Sequence, residues 1–314
     1  MTNLVQPESA ITIPVIDLSD SFSSSLALRS EVAAKIRKAC CETGFFYVSN
    51  HGVPEEAIDS AAALSRRFFG QPDAAKLPLL GQGGYGYEPP RLQILDETAP
   101  PDLKEGFMMS ASETPMAQYV SWPEDMPEFR EGLESYDRHM RQLGCHIMRC
   151  IALSLDLPED YFDEGFSRPT SSVRVLHYAP RPRDSVANQI GAGAHTDWGA
   201  ITILHQDEIG GLEVQTADGA WVAATPIAGT FVVNLGDMIR RWTNDRYSST
   251  MHRVLPPEGD RHRYSIATFF NPYDQYEVAC VPTCRIEGDE PRYPPCTVGE
   301  HIQEMMRKTY EKSI

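Results

Sequence analysis

Leu212-Glu213-Val214-Gln215-Thr216-Ala217-Asp218-Gly219-Ala220-Trp221-Val222-Ala223 is the stretch that decides the fold class. Leu212 and Val214 alternate with Glu213 and Gln215, the two-residue period of a half-buried strand. Asp218-Gly219 then supplies a tight hairpin turn before the β-rich run Trp221 to Ala223. Outward from this hairpin the same period recurs in Val173 to Tyr178, Ile201 to His205, Phe231 to Asn234, Met251 to Leu255 and Arg263 to Phe270. Turn residues separate these runs, and Gly210-Gly211 reads as a further hairpin turn. Short antiparallel strands at this spacing predict a sandwich or barrel, not a doubly wound parallel sheet.

Upstream the period changes. Leu28, Val32, Ile36 and Cys40 recur at helical spacing until Gly44, a left-handed stop. Phe45 to Val48 reads as a strand, Asn50-His51-Gly52 as a turn, and Pro54-Glu55-Glu56 as the opening of a second helix. The start is therefore strand, helix, strand, helix. Between Pro72 and Trp122, Gly, Pro and polar residues break the periodicity, notably in Gly81-Gln82-Gly83-Gly84-Tyr85-Gly86-Tyr87, so a long irregular region is expected to line a site. Phe129, Leu133, Tyr136, Met140, Leu143, Ile147 and Ile151 then mark a long helix, ended before Pro158 and expected to lie along a sheet.

The chain has 314 residues and a net charge of −16, a balance that repels phosphate backbones and anionic lipid, so the expected partner is a small molecule. No apolar run approaches the roughly 18 residues of a spanning helix, and Met1 to Ala10 lacks a signal-peptide pattern, so a cytoplasmic location is expected. The seven cysteines form no Cys-x-x-Cys pair. Cys280 and Cys284 have no second ligand pair at zinc spacing, and all seven read as reduced thiols.

The chemistry concentrates in Gly193-Ala194-His195-Thr196-Asp197-Trp198-Gly199. On a strand, residues two apart share a face, so His195 and Asp197 can converge on one point. An isolated His-x-Asp is weak evidence in a chain with nine histidines. His51, His139, His146, His177, His205, His262 and His301 read as packing or surface residues. His252, within Ser249-Thr250-Met251-His252-Arg253-Val254, would complete a two-His, one-carboxylate facial triad, the pattern of non-haem Fe(II) oxygenases. Arg263 and Ser265 follow on one strand face, where a guanidinium fork and a hydroxyl form a carboxylate cradle. Arg174, Leu176 and Tyr178 share another face. For Tyr178 a phenol contact to the same acid competes with simple cover of the sheet, and for Arg174 a substrate anchor competes with a surface salt bridge.

Taken together these residues identify a resemblance to the isopenicillin N synthase-like group of 2-oxoglutarate/Fe(II)-dependent dioxygenases. Ile13-Pro14-Val15-Ile16-Asp17-Leu18, Gly44-Phe45-Phe46-Tyr47-Val48-Ser49-Asn50-His51-Gly52 and Asp102-Leu103-Lys104-Glu105 carry it in the N-terminal half. His195-Thr196-Asp197, Gly210-Gly211-Leu212, Asn234-Leu235-Gly236-Asp237, His252-Arg253-Val254 and Arg263-Tyr264-Ser265 carry it in the C-terminal half. The resemblance implies a distorted double-stranded β-helix, or jelly roll, backed by helices. An N-terminal region over 11–122 and an oxygenase core over 123–314 would form one compact unit. It implies His195, Asp197 and His252 as iron ligands, and Arg263 and Ser265, helped by Tyr178, as the hold on 2-oxoglutarate. Leu176 departs from the Asn common in plant members, so one cosubstrate contact is expected to be absent or replaced.

The implied reaction consumes 2-oxoglutarate and O2, releases succinate and carbon dioxide, and hydroxylates or desaturates a small molecule. Trp198 and Phe269 are placed to flank a ring-containing substrate, with Arg174 as a polar contact and Phe107 or Met109 as lid residues; core packing competes for Phe269. Two other readings stay open at this point. One is an oxidase of the same fold in which Arg263 and Ser265 hold the substrate's own carboxylate. The other is a metal-free binding protein. A monomer or weak homo-oligomer is expected.

Overall fold

Strand, helix, strand and helix open the chain as the periodicity predicts: β1 (Val15–Asp17), α1 (Leu26–Glu42), β2 (Phe45–Ser49) and α2 (Glu55–Phe69). This is a computed structural model, which describes residues 12–310 apart from 82–83, 97, 112–113 and 187–188. The Met1 to Ala10 segment read for targeting, and Gln82-Gly83 of the Gly-rich run, lie outside the described residues. Helix α1 buries Val32, Ile36 and Cys40. It ends at Gly44, whose φ of +66° lies in the left-handed region that other residues enter at a cost of roughly 1–2 kcal/mol.

The stretch from Pro72 to Trp122 is more ordered than its composition suggests. It holds a helical turn, α3 (Asp73–Lys76), and two strands, β3 (Gly86–Glu88) and β4 (Glu105–Ser110). Strand β4 hides because it is almost wholly buried, so Gly106-Phe107-Met108-Met109 shows no polar alternation to mark it. Helix α4 (Pro127–Ser154) follows, with Pro127 in its first turn and one face of Phe129, Leu133, Tyr136, Met140, Leu143, Ile147 and Ile151 packed inward.

The remaining strands are β5 (Thr170–Tyr178), β6 (Ala192–His195), β7 (Ile201–Gln206), β8 (Leu212–Gln215), β9 (Trp221–Ala223), β10 (Phe231–Leu235), β11 (His252–Val254), β12 (Arg263–Asn271), β13 (Glu277–Val278) and β14 (Cys296–Thr297). A short helix, α5 (Asp237–Trp242), separates β10 from β11, and α6 (Val298–Tyr310) closes the described chain. One eight-stranded sheet runs β1-β2-β10-β7-β12-β5-β4-β3, and a four-stranded sheet runs β6-β11-β8-β9. Strands β8 and β9 form the expected hairpin. Gly210-Gly211 instead links β7 in the large sheet to β8 in the small one, so it is a crossover and not a hairpin turn.

Two apolar clusters show how the layers stack. The larger joins α1, α2 and α4 to the outer face of the large sheet through Ile36, Phe68, Phe129, Val173, Val175, Ile203 and Val233. The smaller lies between the sheets and draws Phe45, Tyr47, Leu176, Tyr178 and Val232 from one and Ala192, Leu212, Val214 and Val254 from the other. That is the interior of a distorted double-stranded β-helix with helices on one side. Among the described residues no helix is long and apolar enough to cross a membrane, and all seven cysteines are free thiols.

Candidate metal and cosubstrate site

Antiparallel pairing of β6 with β11 sets His195 directly opposite His252, with ring centroids 4.3 Å apart. Strand β6 ends at His195, so Asp197 does not share its strand face as the alternation suggested; it lies two residues beyond, in the turn before β7. That turn still brings the three side chains together. Asp197 Oδ1 is 3.8 Å from Nε2 of each histidine, beyond hydrogen-bond reach, and the three candidate ligand atoms lie within 4.8 Å of one another. Among the described residues this is the one group of three or more His, Cys, Asp or Glu side chains placed to hold a metal ion, and Cys280 and Cys284 join none.

The outer contacts turn one atom of each side chain toward the common point. His195 Nδ1 donates to Gly193 O at 2.8 Å, and His252 Nδ1 donates to Thr250 O at 3.1 Å. A carbonyl only accepts, so each ring carries a proton on Nδ1, and in the neutral ring the free nitrogen is Nε2. Asp197 Oδ2 accepts from Thr202 Oγ1 at 2.5 Å and from Asn234 Nδ2 at 2.7 Å, which leaves Oδ1 for the centre. Burial alone would raise the Asp197 carboxyl, but the two imidazoles and these donors more than offset it and hold it below the usual range. Burial, then the neighbouring His252, pushes His195 down, so that ring stays neutral. Anionic carboxylate and bare imidazole nitrogens are the forms that bind a divalent cation.

Segment Asn234-Leu235-Gly236-Asp237 gains a physical role here. Besides the Asn234 contact, the Asp237 amide donates to Asp197 O at 2.8 Å and the Gly236 amide to Ala200 O at 2.9 Å, which fastens the turn carrying Asp197 to α5. From the other side, His301 Nε2 on α6 donates to Trp198 O at 2.8 Å.

Beside the triad, pairing of β12 with β5 and β7 stacks residues in rows on the inner face. Arg263 lies opposite Tyr178, Ser265 opposite Leu176 and Gln206, Ala267 opposite Arg174 and Leu204, and Phe269 opposite Ser172 and Thr202. The Arg263 side chain is fully buried, with its guanidinium 4.6 Å from the centre of the Tyr178 ring. It donates to Ser265 Oγ and Gln206 Oε1, each at 3.2 Å, while Nε has no partner. These hydrogen-bond partners are neutral, and the nearby Asp207 carboxylate, whose oxygens accept from the Tyr264 and Ile209 amides, acts on the guanidinium only through space, so the fork itself is left to bond an anion. A carboxylate cosubstrate fits that donor set.

The substrate residues read from the sequence divide. Trp198 follows Asp197 directly, and Phe269 shares a row with Thr202, whose hydroxyl holds Asp197; both are half-buried. Arg174 shares that inner face but is ion-paired with Glu88 and donates to Gln93 Oε1 at 2.8 Å. Phe107 and Met109 are not lid residues. They sit in rows with Val175 and Val173 on the outer face of β4, fully buried, and Phe107 packs against Phe68, Trp122 and Phe129. Met108, in the row of Arg174, faces inward instead. Sequence reasoning also passed over Thr202, Asn234, Gln206 and His301 as contact residues; the Asn in Asn234-Leu235-Gly236-Asp237 was the one visible signal.

A jelly roll with two histidines and an aspartate at its mouth and a buried arginine cradle beside them defines a class: non-haem iron enzymes that use an acidic cosubstrate. Residues 169–272 match the family model of the 2OG-Fe(II) oxygenase superfamily, and residues 13–128 match the model described as non-haem dioxygenase in morphine synthesis N-terminal. A 2-oxoglutarate-Fe(II) type oxidoreductase, hxnY, of Emericella nidulans is 35% identical, over 96% of this chain and 91% of that one. The crystal structure of a full-length Neurospora crassa protein in complex with alpha-KG and thymine superposes with a TM-score of 0.87 at 30% identity, covering 96% of this chain and 98% of that chain. JOX2 in complex with 2OG, Fe and JA gives 0.81 at 31% identity, covering 94% and 85%. The chain belongs to the 2-oxoglutarate/Fe(II)-dependent oxygenases and is an oxidoreductase whose cofactors are Fe(II) and 2-oxoglutarate.

Proposed function

We propose that His195, Asp197 and His252 hold the ferrous ion, that Arg263 and Ser265 with Tyr178 hold the distal carboxylate of 2-oxoglutarate, and that the enzyme hydroxylates or desaturates a small, ring-containing molecule. The observation that carries this reading is the convergence of Nε2, Oδ1 and Nε2 on one point, with every other polar atom of the three side chains already engaged. Bound Fe(II) supplies the redox chemistry that couples O2 and the decarboxylation of 2-oxoglutarate, to succinate and carbon dioxide, to oxidation of the substrate.

The chain's own part is to bind, orient and shield. Gly193 O and Thr250 O fix the tautomer of each histidine, and Thr202 and Asn234 hold Asp197 by one oxygen. Arg263 offers two Nη groups next to the Ser265 hydroxyl, a fork that suits a planar carboxylate. Leu176 shares the Ser265 row and has no hydrogen-bonding group, so the cosubstrate takes nothing polar from that position. Trp198 and Phe269 at the mouth favour a flat substrate, with Arg174 as the polar contact. The similar Neurospora crassa structure holds thymine, a flat ring.

Within this reading, residues 11–122 brace the core of 123–314 as one compact unit, the protein is cytoplasmic, and it acts as a monomer or weak homo-oligomer on a small-molecule partner, without nucleic acid or membrane. The test is succinate release across a panel of pyrimidines, flavonoids, terpenoid acids and amino acids. One succinate per product, and loss of turnover in Arg263→Ala, are expected. Turnover that persists without 2-oxoglutarate would overturn the cosubstrate assignment.

A further inference from the structure

Asp102-Leu103-Lys104-Glu105 has no part in the reading above, yet Asp102, Lys104 and Glu105 are all buried. Glu105 points to the outer face, where Lys76, Tyr87 and His177 bond its two oxygens. Asp102 and Lys104 serve a different place. Lys104 Nζ donates to Asp102 Oδ2 at 2.5 Å, with side-chain exposures of 4% and 3%, too low for solvent to stand in for either partner. Asp102 Oδ1 then accepts the Gly193 amide at 2.8 Å. Gly193 in turn offers its carbonyl to Nδ1 of His195.

Gly193 is a weak point in the backbone. The β6–β11 register shifts between His252, which faces His195, and Val254, which faces Ala192, so Gly193 and Ala194 lie across a bulge where the ladder is interrupted. Glycine is needed there, since a Cβ would come within 2.7 Å of the Asp96 amide, and glycine is also the residue least able to hold its own conformation. Restraint comes from outside. Segment 101–103 is stapled to this stretch by Gln189 Nε2 to Pro101 O at 2.8 Å, Leu103 N to Ile190 O at 3.0 Å, and the Asp102 contact itself.

We propose that Asp102, held by Lys104, is a positioning residue for the metal ligand His195, acting through Gly193. The inference rests on the metal site assigned above and extends it: a residue from the N-terminal region, inside the 13–128 match, sets the aim of a ligand in the jelly roll.

Two double variants isolate the contact. Asp102→Leu with Lys104→Met removes the buried pair and the acceptor together, an exchange that proteins often tolerate. Asp102→Asn with Lys104→Met removes the same charges but keeps an oxygen for the Gly193 amide. Co(II) is titrated anaerobically into each apo protein, following its visible absorption bands, and apo melting temperature is recorded in parallel. The Leu variant is expected to bind Co(II) roughly 3-fold to 10-fold more weakly than the Asn variant, less than the roughly 10-fold to 100-fold for loss of a group bonded directly to a metal ligand because Asp102 acts through Gly193, with similar melting. Equal affinities in the two variants overturn the proposal and leave the metal site standing. A wild-type chain that takes up no Co(II) overturns both. If the Leu variant does not fold, Asp102→Ala with Lys104→Met, which also lacks the acceptor, is compared with the Asn variant by the same titration and the same criterion.

Discussion

His195 and His252 face each other across β6 and β11, and each donates Nδ1–H to the carbonyl two residues before it in its own chain, Gly193 and Thr250. Two strands running in opposite directions thus use the same local device to present Nε2. The local bond sets the tautomer of the neutral ring, so each Nε2 is turned toward the common point by the chain's own backbone. Replacing either ring by Ala removes one of the three proposed ligands, and Co(II) uptake and succinate formation are both expected to be lost while the far-UV circular dichroism is kept. Retained Co(II) absorption in His252→Ala would remove that residue from the site.

Gln206 offers a sharper test of the cosubstrate cradle. Its Oε1 accepts from Arg263, and its Nε2 donates to Ala224 O at 3.3 Å, so the amide is held between them. Gln206→Glu puts a carboxylate of nearly the same shape against the buried guanidinium and satisfies its charge from within. The KM for 2-oxoglutarate is expected to rise at least about 10-fold, roughly 1.4 kcal/mol, with the substrate KM little changed. Gln206→Met, which adds no charge, should raise it less. If the two variants behave alike, Arg263 does not bind the acid through its charge.

What could be read directly from the residues was whatever leaves a local signature. The two-residue period gave the strands of the roll, and the order His195, Asp197, His252, Arg263, Ser265 pointed to one chemistry. Strand β4 left none, because burial on both faces erased its alternation. The lid assignment for Phe107 and Met109 failed for the same reason: without a strand there was no face, and Met108 is the residue that points inward. Asp102 and Gly193 meet only through tertiary folding, as do His301 and Trp198 O, and no spacing along the chain announces such contacts.

That correction separates two kinds of variant. Phe107→Ala opens a cavity among Phe68, Trp122 and Phe129 and is expected to cost about 3–5 kcal/mol of stability, with little effect on substrate KM in the folded protein. Trp198→Ala touches no such cluster. It is expected to raise substrate KM or to let succinate form without product, at nearly unchanged stability. Urea unfolding combined with the ratio of succinate to product distinguishes them, and coupled turnover unaffected by Trp198→Ala would take that residue out of the pocket.

His205 on β7 links pH to stability away from the iron. Burial, then the nearby Arg66, lowers its pKa from 6.5 to about 4, with Asp59 pulling the other way and His51 adding to the depression. Phe231 covers one edge of the ring. The folded protein therefore keeps this imidazole neutral where the unfolded chain would protonate it. Stability from this source is complete above about pH 6.5 and is lost as pH falls toward 4, because the unfolded state binds the extra proton across that window. With a discount for residual solvent contact, the loss is on the order of 2 kcal/mol. His205→Gln cannot take up that proton, so the variant should lose less stability than wild type between pH 6.5 and 4.5 in urea titrations. His51, whose pKa burial also lowers, stays in both proteins and cancels in the comparison. Parallel pH profiles for the two proteins would mean that His205 already reaches water well enough to be protonated in the folded state.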